Sequence, residues 1–223
     1  MQKDRKKLAR LRFGPAATLL YINRGWKGRV PGFTIDLASG ALYRDAQQDT
    51  DRNRSPERDR AARTLELERL SLSVWETQNI LLIRFADSLL RDDAIAETSL
   101  LYALKRGIEQ AFQLEESELD VMMVGREQHR AMLLFEATEG GLGVLRRLVE
   151  EPDALAEVAV QALAICHFTR EGADLKRECV RACYECLLSY SNQPEGYLLD
   201  RHRVRGILQE LTRARVHTRT QNR

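Results

Sequence analysis

The four cysteines of this 223-residue chain lie close together in the sequence. Cys166, Cys179, Cys183 and Cys186 have the spacing C-x12-C-x3-C-x2-C, and no other cysteine occurs in the chain. Four thiolates form a closed structural zinc site, which leaves no open position for a water molecule. The spacing therefore predicts structural zinc held by these four residues and argues against metal-assisted hydrolysis.

Other interpretations of the same segment stay open. The thiols could be small buried core residues, ligands of an iron–sulfur cluster, or a redox Cys-x-x-Cys pair, although no thioredoxin-like βαβ pattern precedes them. His167 could replace its neighbour Cys166, but adjacent residues rarely both reach one metal, so Cys166 is favoured. Lys176, Arg177 and Arg181 either compensate the charge of the thiolates or contact phosphate.

The elements that must position these cysteines follow from the spacing of apolar residues. Alternating or short apolar segments predict strands, and a turn at Glu76–Asn79 is expected to close a hairpin. The expected strands are Ala16–Ile22, Phe33–Leu37, Leu42–Tyr43, Glu68–Trp75, Ile80–Phe85, Val121–Val124 and Met132–Phe135.

Helical periodicity takes over in the second half of the chain. Asp153 is the expected N-cap of the helix that leads to the first cysteine. The expected helices are Ala94–Leu114, Leu142–Glu150, Ala154–Cys166 and Tyr197–Arg215. The order of elements predicts an α+β fold, with a mostly antiparallel sheet, a long amphipathic helix and a helical, cysteine-bearing end.

Charge is distributed unevenly along the chain. Residues 1–30 carry a net charge of +8 and residues 201–223 a net charge of +6, so the total of +2 leaves −12 on residues 31–200. Basic ends suit the phosphates of nucleic acid, and they could equally serve only to keep a domain soluble.

Five segments are predicted from composition and motifs. Residues 1–13 are a basic lead-in, 14–212 one domain and 213–223 a basic tail. Within the domain, residues 44–64 are a charged mobile insertion and 162–193 the zinc-binding segment. The sequence has no stretch of bilayer-spanning length and no secretory signal pattern, so a cytoplasmic protein is expected.

Two further groups of residues are candidate sites. The glycine-rich joint at 140–143 could admit a phosphate at a helix N-terminus, with Glu136 and Glu139 as paired carboxylates, but a tight strand-to-helix turn is the favoured interpretation. Tyr21, Trp26 and Phe33 could stack on a nucleic acid strand or belong to a hairpin core, which is favoured. The sequence has no Walker A loop or DExx motif.

Several stretches resemble a known family. They are Leu134–Leu145 with its Glu and glycines, Ala162–Leu211 with the cysteines, Val74–Arg84 and Ser99–Glu109. They are similar to the zinc-binding C-terminal domain of mitomycin-repair-type superfamily 2 helicases, the MZB family. Similar segments occur in large DEAD/DEAH-box helicase-like proteins, including DISARM-type phage-defence components. The resemblance spans residues 14 to 212.

The resemblance implies zinc at the four cysteines and a non-catalytic domain that works beside a helicase motor on DNA, in DNA repair or phage defence. The motor itself is not in this sequence, so a separate subunit and the remnant of a split gene both remain open. An interaction scaffold without nucleic-acid contact is the alternative function. A nuclease with carboxylate-bound magnesium is the least favoured.

Overall fold

The fold is described from a computed structural model. It describes residues 7–26, 31–43, 66–86, 90, 93–126, 129–138 and 140–217. The predicted insertion at 44–64 and Glu139 lie outside the described residues, as do the last six residues of the predicted tail.

The chain divides into two compact units. The large unit comprises residues 1–17 and 78–223, and the small unit comprises residues 18–77. The boundaries between the units fall inside two long strands. The segment boundaries predicted from the sequence stay predictions.

A four-stranded sheet has the strand order β1-β5-β7-β6. β5 pairs with β7 in antiparallel register, with Ile80 opposite Phe135, and β6 pairs with β7 with Leu119 opposite Glu136. The strands are β1 Ala9–Asn23, β5 Leu72–Phe85, β6 Leu119–Val124 and β7 Ala131–Glu136.

The small unit contains a three-stranded antiparallel sheet. Its order is β3-β2-β4, with β2 in the centre, where Thr34 pairs with Tyr43 on one side and with Arg69 on the other. The strands are β2 Phe33–Asp36, β3 Leu42–Tyr43 and β4 Leu67–Leu70.

Four α-helices complete the large unit among the described residues. α1 begins after Asp93, whose carboxylate accepts a hydrogen bond from the Ala96 amide at 3.0 Å. The helices are α1 Ala94–Phe112, α2 Val144–Glu150, α3 Ala154–Ile165 and α4 Arg201–Leu211, and a 3-10 helix spans Gln193–Leu198.

The core of the large unit forms where α1 lies against α3 and the sheet. Gly107 allows the two helices to approach closely, because a Cβ at this position would lie 2.6 Å from the Val158 carbonyl oxygen. The central core side chains are fully buried or nearly so: Leu81, Leu100, Leu104, Ile108, Leu134, Val158 and Ala162. None of the helices in the described residues combines the length and apolar character needed to span a membrane.

The α+β class and the antiparallel pairing are confirmed, and the long helix and the β6–β7 pair occur where they were expected. The hairpin turn at Glu76–Asn79 is wrong, because β5 runs straight through these residues. Asn79 is a residue type typical of turns, but here it lies within the strand and its side chain makes tertiary hydrogen bonds. Its amide oxygen accepts from the Ala16 amide, and its nitrogen donates to the buried Glu136.

The end of the chain also differs from the prediction. The single helix expected over Tyr197–Arg215 is interrupted, since Leu199 is extended and the Asp200 carboxylate caps α4 by accepting from the His202 amide. Asp153 makes no side-chain cap for α3, and its carboxylate pairs with Arg215 at 2.9 Å.

Candidate metal centre

The end of α3 turns the chain sharply at His167. The Phe168 amide donates to the Leu163 carbonyl and the His167 amide to the Ala164 carbonyl, which is the double hydrogen bond of a Schellman motif. His167 occupies the left-handed position, φ 62°, where glycine is usual. This conformation costs a non-glycine residue free energy, and such strain is concentrated at functional sites.

Four side chains converge beyond this turn. His167, Cys179, Cys183 and Cys186 each offer one ligand atom, and the four atoms all lie within 4.8 Å of one another. The His167 Nε2 atom is 3.3 Å from the Cys183 Sγ atom. The Cys186 Sγ atom lies 3.7 Å from that of Cys183 and 3.8 Å from that of Cys179.

These distances fit a tetrahedral zinc ion. With zinc–sulfur bonds of about 2.3 Å, tetrahedral geometry places two sulfur ligands about 3.8 Å apart, which is the spacing observed. Three sulfur atoms and one imidazole nitrogen are also a ligand set that structural zinc sites use. The four protein ligands would close the coordination shell and leave no position for a substrate.

Cys166 is not part of this group. The sequence favoured Cys166 as the fourth ligand, whereas the structure brings His167 to the other three cysteines. The reason is local geometry: Cys166 is the C-cap of α3, and the left-handed turn at the next residue directs His167 to the cluster.

Burial makes these thiols reluctant to ionise on their own. It raises the pKa of Cys179 to about 12 and also raises the pKa values of Cys166 and Cys186. Burial acts on Cys183 in the same direction, but hydrogen bonds that include the backbone amide of Glu185 leave its pKa lowered. A zinc ion binds the thiolate form, so its affinity must offset the cost of deprotonating buried thiols.

The loop that carries the last two cysteines is tightly hydrogen-bonded. The Cys183 amide donates to the Cys186 Sγ atom at 3.1 Å, and the Cys186 and Leu188 amides donate to the Cys183 carbonyl. Amide donors directed at a sulfur atom favour the thiolate that a metal needs. The backbone therefore prepares this turn for a cation.

Arg201 fastens the same segment from the start of α4. Its guanidinium is fully buried and donates to the carbonyls of Cys179 at 2.7 Å, Cys166 at 3.1 Å and Lys176 at 2.8 Å. It also donates to the Asp174 carboxylate at 2.8 Å, which lowers the pKa of that group to about 2. The guanidinium thus cross-links the parts of the backbone that carry the ligand side chains.

The sequence analysis assigned no role to Arg201. Arg201 lies three residues before Val204 on the buried stripe of α4, and an arginine in an otherwise apolar stripe was the available signal. Of the basic residues near the cysteines, Lys176 forms an ion pair with Glu185, and Arg181 donates to the Tyr197 carbonyl at 2.9 Å.

Among the described residues, the glycine-rich joint at 140–143 forms a tight turn between β7 and α2. Glu136 is fully buried, and its carboxylate accepts from the amides of Gly143 at 3.2 Å and Leu145 at 2.9 Å at the start of α2. A carboxylate therefore already occupies the position that a phosphate would take. Gly141 has φ 72°, and a Cβ there would lie 2.2 Å from the Asn79 amide nitrogen, which explains the glycine.

The aromatic residues of the small unit are only partly buried. Trp26 is 43% and Tyr21 38% exposed, and the Trp26 ring meets that of Phe33 edge-on with centroids 6.3 Å apart. The ring contact supports the hairpin-packing interpretation, although two of the three side chains remain accessible.

The fold and the site define a zinc-binding domain, and the comparisons agree. Residues 100–187, which include all four cysteines and His167, match the model of the family described as MZB, MrfA Zn-binding domain. The resemblance to that family is thereby confirmed for this segment. The match and the His/Cys3 geometry together confirm zinc as the expected cofactor.

One solved structure aligns with this chain. It is described as "Crystal Structure of DUF1998 helicase MrfA bound to DNA", with 11% sequence identity and a TM-score of 0.46. The alignment covers 91% of this chain and 24% of that chain, so the sequence spans about a quarter of the helicase. No curated protein matches the sequence.

Proposed function

We propose that this chain is a non-catalytic, zinc-stabilised accessory domain or subunit of a superfamily 2 DNA helicase, which docks to the motor and contacts DNA in DNA repair or phage defence. The observation that carries the proposal is the closed His/Cys3 centre inside a segment that matches a helicase-derived zinc-binding family. A centre without an open coordination position serves structure, and the motor supplies the chemistry.

The zinc ligands are His167, Cys179, Cys183 and Cys186. When bound, zinc cross-links the end of α3 to the loop before α4, and its binding free energy becomes folding free energy of that segment. Cys166 contributes packing alone. This assignment rests on the four converging ligand atoms.

Two single variants separate the possible fourth ligands. His167→Gly removes the imidazole and at the same time relieves a left-handed backbone, which alone would stabilise the chain by about 1 kcal/mol. If His167 is a zinc ligand, His167→Gly should instead lower zinc affinity by more than the roughly 100-fold limit seen for outer-shell changes. Cys166→Ala should leave zinc affinity unchanged. Competition with a chromophoric chelator measures both.

Cobalt substitution gives an independent reading of the ligand set. Cobalt bound by three thiolates and an imidazole should give weaker thiolate-to-metal absorption than cobalt bound by four thiolates. A four-thiolate spectrum that is lost in Cys166→Ala and kept in His167→Gly would overturn the assignment of His167.

The partner role is tested with the zinc-loaded full chain. We expect it to bind labelled oligonucleotides and to co-purify with an ATPase carrying superfamily 2 motifs, identified by mass spectrometry. Chelator-treated protein is the control, because it should lose both properties together with its zinc. Zinc-loaded protein that binds neither DNA nor such an ATPase would contradict the proposal.

A scaffold without nucleic-acid contact is the second candidate. Large apolar side chains of the small unit are exposed, including Trp75 at 70%, Val74 at 59% and Leu72 at 53%. Accessible apolar groups in one unit favour a protein contact. Retained ATPase association with no measurable oligonucleotide binding would support this candidate.

A further inference from the structure

The arginines of α4 and the residues after it have different surroundings. Arg201 is buried, Arg203 pairs with Asp93 at 2.7 Å and Arg215 pairs with Asp153 at 2.9 Å. Their charges are therefore neutralised or used within the fold. The net charge of +6 over residues 201–223 does not, by itself, describe a uniform basic surface.

Three other arginines differ from these. Arg170, Arg205 and Arg213 are exposed, and within the described part of the chain no carboxylate forms an ion pair with any of them. Arg205 is held in place without being neutralised. Its guanidinium is 3.5 Å from the Gly172 carbonyl oxygen and stacks 5.6 Å from the centre of the Phe168 ring.

Helical geometry places two of these arginines on one side of the molecule. Arg205 and Gln209 are four residues apart on α4, which puts them on one face. Arg213 follows after a further four residues, in the turn just past the helix end, where its amide donates to the Glu210 carbonyl at 3.2 Å. At about 1.5 Å per residue, Arg205 and Arg213 lie about 12 Å apart along the helix axis if the turn after Leu211 continues the same rise.

The loop after the metal-centre histidine brings the third arginine to this face. The Gln209 side-chain amide donates to the Arg170 carbonyl at 3.4 Å. Gly172, with φ 89°, lies so close to the helix that a Cβ would be 2.7 Å from the Gln209 Nε2 atom. The loop is therefore seated against α4 at the centre of the arginine pair.

We propose that Arg170, Arg205 and Arg213, arranged around Gln209, form a strip that binds the phosphate backbone of nucleic acid. Guanidinium groups bind phosphate through paired N–H donors, and charges not neutralised within the protein have the most to gain from it. One strand carries a phosphate about every 3.4 Å of axis, so 12 Å matches about three to four phosphates. The inference rests on the proposed DNA contact and locates it.

Two double variants test the strip with matched charge. Arg205→Gln with Arg213→Gln removes two strip charges, and Arg203→Gln with Arg215→Gln removes two paired charges from the same part of the chain. Binding of a labelled 20-nucleotide single strand and its duplex is measured by fluorescence anisotropy at several salt concentrations. Zinc content and circular dichroism confirm that each variant is folded.

The two variants should differ clearly. The strip variant should weaken duplex binding by about tenfold or more, and its slope of log K against log salt should fall by about 1.8, or about 1.4 for the single strand. The paired-arginine variant should change the affinity by less than about threefold. Equal losses in both variants would overturn the strip.

The outcomes also separate this inference from the wider proposal. If the folded wild-type chain binds no oligonucleotide, the DNA contact itself fails. If it binds and the strip variant retains full affinity, only the location fails. Poly-glutamate serves as a competitor at the same concentration of negative charge as the oligonucleotide. If poly-glutamate binds as tightly as the oligonucleotide and displaces it, the strip is a surface for acidic proteins and the nucleic-acid assignment is overturned.

Discussion

The large unit contains two regions that are held together differently. In the helix–sheet core, fully buried side chains such as Leu104, Leu134 and Val158 pack closely, and α1 meets α3 over a glycine. In the segment 166–200, regular structure is confined to one isolated bridge and a 3-10 helix, and Val180 and Tyr184 are exposed. The segment relies on polar anchors where the core relies on packing.

The difference concerns what each region needs in order to fold. Apolar burial stabilises the core in proportion to the area removed from water. The segment buries few large apolar side chains, namely Phe168, Leu187 and Leu199. Its ligand side chains and the Arg201 guanidinium must therefore fix the rest of its backbone. Metal removal should therefore separate the two regions, with the core surviving the loss of the segment.

The largest effect is expected from Cys183→Ser. This change removes one thiolate from the centre, so zinc should be released and the segment after α3 should unfold, since site binding energy is folding energy. Elemental analysis should find less than one zinc per two chains, and proteolysis should cut within residues 169–200. Unchanged zinc content and an unchanged melting temperature would contradict the role of this thiolate.

Arg201→Met comes next in expected size. Removing a buried guanidinium takes its donors away from the Asp174 carboxylate and from the carbonyls of Cys166 and Cys179, which should lower the free energy of unfolding by about 3–5 kcal/mol. Arg203→Met on the same helix breaks an exposed pair and should cost less than about 1 kcal/mol. Urea unfolding of zinc-loaded protein measures both, and equal costs would show that Arg201 is not an anchor.

Two glycine substitutions give the smallest effects and probe packing directly. Gly107→Ala places a Cβ 2.6 Å from the Val158 carbonyl and should cost about 1–3 kcal/mol by forcing α1 and α3 apart. Gly206→Ala on α4 meets nothing within 4 Å and should stabilise by about 0.4–1 kcal/mol. Thermal melting should thus show opposite signs, and a stabilising Gly107→Ala would contradict the close contact.

Local sequence patterns predicted many of the helices and strands. The 3.6-residue period predicted α1 and alternation predicted β2, because each of these elements buries one face. Short apolar runs predicted β6 and β7, and β7 is buried on both faces. The break at Leu199 and the straight course of β5 through Asn79 were not readable locally. They depend on tertiary hydrogen bonds: the Asp200 amide donates to the Ser99 hydroxyl, and the Asn79 side-chain amide donates to the Glu136 carboxylate.

The sequence predicted a metal centre built from cysteines, but only part of its ligand geometry. Cysteine spacing predicted Cys179, Cys183 and Cys186 as ligands, since ligands so near in sequence can reach one ion from a single loop, and the structure brings these three thiols together. The choice between Cys166 and His167 depends on a left-handed backbone at the end of α3, which no spacing rule encodes. The role of Arg201 depends on tertiary contacts, because its carbonyl partners at Cys166, Lys176 and Cys179 come together only in the folded loop.

Hydrogen exchange with and without a zinc chelator tests the central claim most directly. In this account a zinc centre stabilises residues 166–200, while side-chain packing stabilises the core. We predict that chelation abolishes amide protection in that segment and at the start of α4, while α1, β6 and β7 keep theirs. Unchanged protection in the segment, or simultaneous loss of protection in both regions, would contradict it.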